Sequence, residues 1–100
     1  MELKIGQRLR SQVCDTEVIV VRSGSVELTC GGAPVILHGQ DPEAGLALVP
    51  GLDGGTQIGK RYTDERGVLE ILVTKPGKGT LADGQNPLPL RESRELPASD

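Results

Sequence analysis

Apolar residues along this chain fall in short runs with a period of two, and glycine or proline breaks the runs every few positions. Thr16 to Arg22 is the clearest case: Val18 and Val20 lie on one face, Ile19 and Val21 on the other. Alternation over so few residues predicts a β-strand. A strand apolar on both faces is central in its sheet or covered on both sides. Ser23-Gly24-Ser25 reads as the hairpin turn that follows, with Gly24 supplying the positive φ of a tight turn. Val26, Leu28 and Cys30 then alternate with Glu27 and Thr29, which turns Cys30 toward the buried face. This hairpin is expected to bring its two ends, Cys14 and Cys30, together.

The same pattern predicts short strands over Leu3 to Ile5, Arg8 to Val13, Ala33 to His38 and Leu46 to Val49. A second hairpin spans Gln57 to Thr74. With Asp64 to Gly67 as its loop, Tyr62 faces Leu69, Lys60 faces Ile71 and Ile58 faces Val73, while Arg61 and Glu70 pair on the opposite side. Asp83-Gly84 signals a last hairpin within Thr80 to Leu90. No segment of ten or more residues carries a helical period. The expectation is an all-β fold, a small sheet or barrel-like domain of about seven or eight short strands. It covers residues 1–90 as one domain, a first unit at 1–39 and a β-hairpin extension at 40–90, followed by a polar tail at 91–100.

Composition narrows the function classes. Of the 100 residues 36% are hydrophobic, and Tyr62 is the single aromatic, so the core is aliphatic and modest. A core of that size calls for help from a metal, a disulfide or a second subunit. The net charge of −3 and the absence of a basic stripe argue against nucleic-acid binding, as does the lack of aromatic stacking platforms. No apolar run of about 18 residues is present for a membrane helix. The N-terminal residues lack the charged and apolar regions of a signal peptide, which leads to the expectation of a cytoplasmic protein. In that compartment two cysteines are thiols or metal ligands more often than a structural disulfide.

Residues 11–37 carry a resemblance. Ser11-Gln-Val-Cys14, the Val18-Ile-Val-Val21 run, Ser23-Gly-Ser25 and Leu28-Thr-Cys30-Gly-Gly-Ala-Pro34-Val35 resemble desulforedoxin and the N-terminal domain of desulfoferrodoxin. Those are small β proteins that hold one iron through four cysteines, in a Cys-x-x-Cys pair and a Cys-Cys-Gly-x-Pro frame. Cys14 and Cys30 match two of the four ligands, and Ser11 and Gly31 stand at the other two positions. The resemblance implies a desulforedoxin-like hairpin unit, pairing of subunits as a homodimer, and half of the family's ligand set.

Glycine offers no side chain and a neutral serine hydroxyl is a poor ligand, so this stretch alone does not rebuild a tetrahedral iron or zinc site. Three readings follow for Cys14 and Cys30. In the first the metal is lost, no cofactor is bound, and both cysteines are small buried apolar residues. In the second they are a disulfide or redox pair. Two thiolates on one tetrahedral metal at ~2.3 Å lie roughly 3.8 Å apart, within reach of oxidation after a modest movement. Closing about 17 residues would add ~3 kcal/mol of stability. In the third, iron or zinc is still bound by the two cysteines with outside ligands, such as His38 or groups from a second subunit.

Elsewhere the candidate chemistry is sparse. Lys60 and Tyr62 fall on the apolar face of the second hairpin and form a candidate binding surface for an anionic small ligand. Lys75-Pro-Gly-Lys-Gly79 lacks the spacing of a phosphate loop and reads as a flexible basic turn, and Gly51 to Gly55 has no dinucleotide fingerprint. The functional expectation is a non-catalytic binding or accessory module on a desulforedoxin-like scaffold, partnered by itself or by another protein. The alternatives are a small redox or metal protein using Cys14 and Cys30, and a small enzyme with a Lys60/Tyr62 pocket.

Overall fold

The computed structural model describes residues 2–64 and 66–90. The polar tail expected at 91–100 lies outside the described residues. The fold is all-β and has no helix among the described residues. Nine strands form two antiparallel sheets, and β1 (Glu2–Leu3) and β4 (Gly24–Ser25) add a separate two-stranded ladder.

The five-stranded sheet is built around β3 (Glu17–Arg22), which lies between β2 (Arg8–Arg10) and β9 (Glu70–Lys75). Its edges are β7 (Ile36–Leu37) and β8 (Arg61–Thr63). The two-faced apolar pattern of Val18 to Val21 is thus that of a central strand. Val18 and Val20 are buried, while Ile19 and Val21 on the outer face are half-buried. The four-stranded sheet runs β11 (Asn86–Pro87), β10 (Leu81–Asp83), β5 (Leu28–Cys30), β6 (Ala33–Pro34). The inner faces of the two sheets meet in one aliphatic core. Leu9, Val18, Val20, Ile71 and Val73 come from one sheet; Leu28, Cys30 and Leu81 come from the other. Each of these buried valines, leucines and isoleucines contributes roughly 1.5–3 kcal/mol by leaving water.

Several expectations are corrected. Thr16 to Cys30 is not a hairpin: β3 pairs with β2 and β9, whereas β5 pairs with β10 and β6. Both edges of β3 are already taken, so the chain crosses from one sheet to the other through Ser23 to Glu27. Gly24 is glycine for space, not for φ. A Cβ there would lie 2.8 Å from the Leu69 Cβ, and its φ is not in the positive region. Ala33 to His38 is likewise divided at buried Val35, with β6 in one sheet and β7 in the other. Leu46 to Val49 forms no strand and belongs to a long irregular segment between β7 and β8.

The second hairpin forms with its register moved by two residues. Tyr62 faces Ile71 and Arg61 faces Leu72. The parity of the faces is kept, so Tyr62 still points into the core. The loop is longer than expected because the Asp64 carboxylate organises it, accepting the Val68 and Leu69 amides at 2.7 and 3.2 Å. Arg61 and Glu70 still meet, as a diagonal pair at 3.1 Å. The last hairpin turns at Gly84, whose φ of 63° is the left-handed conformation that a two-residue loop requires.

Candidate functional site

Where the two sheets converge at one end, three backbone segments meet around a pair of sulfurs. Ser11 to Thr16 forms a tight turn after β2, closed by the Ser11 amide donating to the Thr16 carbonyl at 2.9 Å. The Ser11 hydroxyl accepts the amides of Val13 and Cys14 at 3.1 and 3.2 Å. That short-range bonding fixes the direction of Cys14. Cys30 comes from the end of β5, fully buried. The third segment is Lys75 to Gly79, which leads from β9 into β10.

Cys14 Sγ lies 3.8 Å from Cys30 Sγ, and both are free thiols. The expected meeting of the two cysteines therefore holds, but it is made by two packed sheets rather than by one hairpin. The Gly79 amide donates to Cys14 Sγ at 3.3 Å, and the Thr16 hydroxyl lies 3.3 Å from the same sulfur.

These contacts make the two thiols unlike. Partial burial raises the Cys14 pKa, but hydrogen bonds from the Ser11 and Thr16 hydroxyls and the Thr16 and Gly79 amides outweigh it. The thiol is lowered to about 7. Cys30 is pushed up to about 12, first by burial and then by the neighbouring Cys14 charge. As pH rises through about 7 the pair sheds its first proton from Cys14, while Cys30 keeps its hydrogen.

The donor set does not fit a four-ligand iron or zinc centre within one chain. Among the described residues no third His, Cys, Asp or Glu joins the two cysteines. Ser11, at one of the two further positions where the resemblance would place a ligand, already accepts two amides. Gly31, at the other, has a φ of +67°, and a Cβ on it would run into Leu48 at 2.5 Å and Val13 at 2.7 Å. Aliphatic carbon fills the space a fourth ligand would need. His38, considered as an outside ligand, sits 3.2 Å from Glu17 instead.

Lys60 and Tyr62 are not brought together as a surface. Tyr62 is buried within the core, and Lys60 is exposed just before β8.

The residues missed from sequence are Thr16, Thr56, Gly77 and Gly79. Lys75 to Gly79 is not a loose basic turn. Gly79 is buried, and a Cβ there would lie 2.9 Å from Cys30 Sγ and 3.1 Å from Cys14 Sγ. A Cβ on Gly77 would collide with Thr16 Oγ1. Two glycines separated by one residue were the available signal, since such spacing lets a backbone approach another group closely.

Comparison with protein families, with curated proteins and with solved structures finds no match to the chain.

Proposed function

We propose that the chain is a small dithiol redox protein in which Cys14 is the attacking thiolate and Cys30 the resolving thiol. The observation that carries this reading is the 3.8 Å approach of two free thiols, one of them holding an amide hydrogen bond from Gly79. A thiolate with a pKa near the ambient pH combines adequate ionisation with good nucleophilicity.

The chemistry is thiol–disulfide exchange. The Cys14 thiolate attacks one sulfur of a substrate disulfide, forms a mixed disulfide and expels the other sulfur as a thiolate. Cys14 then carries no charge, so the repulsion that helped to keep Cys30 protonated is removed. Cys30 gives up its proton and attacks Cys14 Sγ, closing the intramolecular disulfide. The second substrate sulfur leaves and takes the proton. Two electrons pass from the protein dithiol to the substrate disulfide, and the reverse sequence reduces the protein.

The test is equilibration of the reduced chain in glutathione redox buffers of graded potential, followed by acid quench and intact mass. A two-hydrogen mass loss with a single midpoint is the expected result, and Cys30→Ser should accumulate the glutathione adduct on Cys14. A dithiol that stays reduced throughout, with no adduct in Cys30→Ser, sinks the proposal. A second reading, the non-catalytic accessory module that pairs with itself or a protein partner, is supported by exposed Ile5, Ile58 and Val68 at 69, 63 and 51%. It predicts an inert dithiol in an oligomeric chain.

A further inference from the structure

Behind Cys14 lies a line of hydroxyls that neither cysteine explains. Thr56 belongs to the irregular segment before β8, distant in sequence from both cysteines, and is buried. Its Oγ1 lies 3.0 Å from Thr16 Oγ1, and Thr16 Oγ1 lies 3.3 Å from Cys14 Sγ. Thr56 is clasped by one residue of the third segment. Its amide donates to the Gly77 carbonyl at 2.9 Å, and the Gly77 amide donates to Thr56 Oγ1 at 3.0 Å.

The proton order along this line follows from the donor inventory. A hydroxyl has one hydrogen to give, and Thr56 Oγ1 already accepts from Gly77. Its hydrogen has two acceptors within reach: Thr16 Oγ1 at 3.0 Å and the Gly77 carbonyl at 3.5 Å. The shorter bond is the stronger, so the hydrogen goes to Thr16. Once Cys14 is the thiolate it has no hydrogen to give, and Thr16 turns its own single hydrogen onto Cys14 Sγ; the neutral thiol instead donates to Thr16 Oγ1 across the same 3.3 Å. With Cys14 ionised the line reads Gly77 amide to Thr56, Thr56 to Thr16, Thr16 to sulfur. Each bond polarises the next, and all of them favour the sulfur carrying negative charge.

We infer that Thr56 is a positioning residue for the dithiol: it aims the Thr16 hydroxyl at Cys14 and thereby sets the reactivity of that sulfur from the far side of the site. This deepens the proposed function and rests on Cys14 being the attacking sulfur. The role belongs to the hydroxyl and not to the volume of the side chain. The need for glycine at 77 agrees with it, because a Cβ there would meet Thr16 Oγ1 and displace the middle of the line. Cys30 is the titratable side chain against Cys14; Asp15 and Lys78, the charged neighbours of Cys14 and Gly79 in sequence, are exposed.

The experiment is the rate of iodoacetamide alkylation of Cys14 against pH, read by peptide mass on the reduced full chain. Thr56→Val keeps the shape and removes the hydroxyl, and Thr56→Ser restores it. Loss of one hydrogen bond to a thiolate network should move the alkylation midpoint up by about one pH unit in Thr56→Val. Thr56→Ser should return it to the wild-type value, with both variants folded by circular dichroism. If Thr56→Val does not fold, Thr56→Ala reads the same shift. An unmoved midpoint overturns the inference, and so does an equal shift in Thr56→Ser. Failure of the dithiol reading appears elsewhere, as absence of disulfide formation in the wild-type chain.

Discussion

The Gly79 amide donates to Cys14 Sγ at 3.3 Å across 65 residues of sequence. The approach is close enough that residue 79 has no room for a side chain. A methyl group there would lie 2.9 Å from Cys30 Sγ and 2.9 Å from the Gly31 nitrogen. Gly79→Ala should therefore cost about 1–3 kcal/mol by overpacking. It should also raise the alkylation midpoint of Cys14, because the amide moves off the sulfur. Chemical denaturation and iodoacetamide kinetics measure the two effects, and a stable variant with normal kinetics would show that the contact has no consequence.

Opposite shifts at the two thiols give the fold a distinctive pH dependence. The unfolded thiols ionise near about 8.5. Between about 7 and 8.5 the folded chain has shed the Cys14 proton while the unfolded chain still holds both, so stability rises with pH in that window. The Cys14 contribution is lost as pH falls through about 7. Above about 8.5 the unfolded chain releases both protons while the folded chain keeps that of Cys30, so stability falls as pH rises toward about 12. Urea midpoints under a reductant, compared between wild type and a Cys14→Ser/Cys30→Ser chain, should differ in a way that peaks near about pH 8.5. A difference that is flat with pH contradicts this assignment.

Asp64 holds the loop that sets the register of β8 against β9. Its buried carboxylate accepts two backbone amides, at 2.7 Å from Val68 and 3.2 Å from Leu69. Asp64→Ala leaves both amides without that acceptor and should cost about 2 kcal/mol, as charged hydrogen bonds do. Asp64→Asn keeps one acceptor oxygen and should lose less than half of that. Equal losses in the two variants would mean that burial, not amide capture, is the role of Asp64.

The Arg61–Glu70 pair is asymmetric in exposure, at 51 and 3%. Removing the guanidinium withdraws a donor from a buried carboxylate, so Arg61→Ala should cost about 1–2 kcal/mol, more than an exposed pair. Because Glu70 is out of water, the loss should persist in about 1 M salt, where exposed pairs are screened within about 3 Å. A loss that vanishes in salt would place the pair among ordinary surface contacts.

What was legible in the sequence is what short-range physics controls. Period-two alternation around Val18 to Val21 and Val26 to Cys30 specified β-structure and the buried face of Cys30, because side-chain direction in a strand depends on its immediate neighbours. Turn chemistry at Asp83-Gly84 specified the last hairpin. The pairing of strands was not legible. β3 has its edges filled by β2 and β9, and that choice depends on how two sheets share one core, so the expected Cys14–Cys30 hairpin became a crossover between sheets. Register moved by two residues at Tyr62 because the Asp64 carboxylate lengthened the loop, while parity held because one face must stay buried. At the site, the sequence by itself singled out Cys14 and Cys30. Only the tertiary structure decided what surrounds the sulfurs. Gly79, Thr16 and Thr56 act through one amide and two hydroxyls; the Gly77/Gly79 spacing permits a close backbone approach, but its target exists only once distant segments pack together.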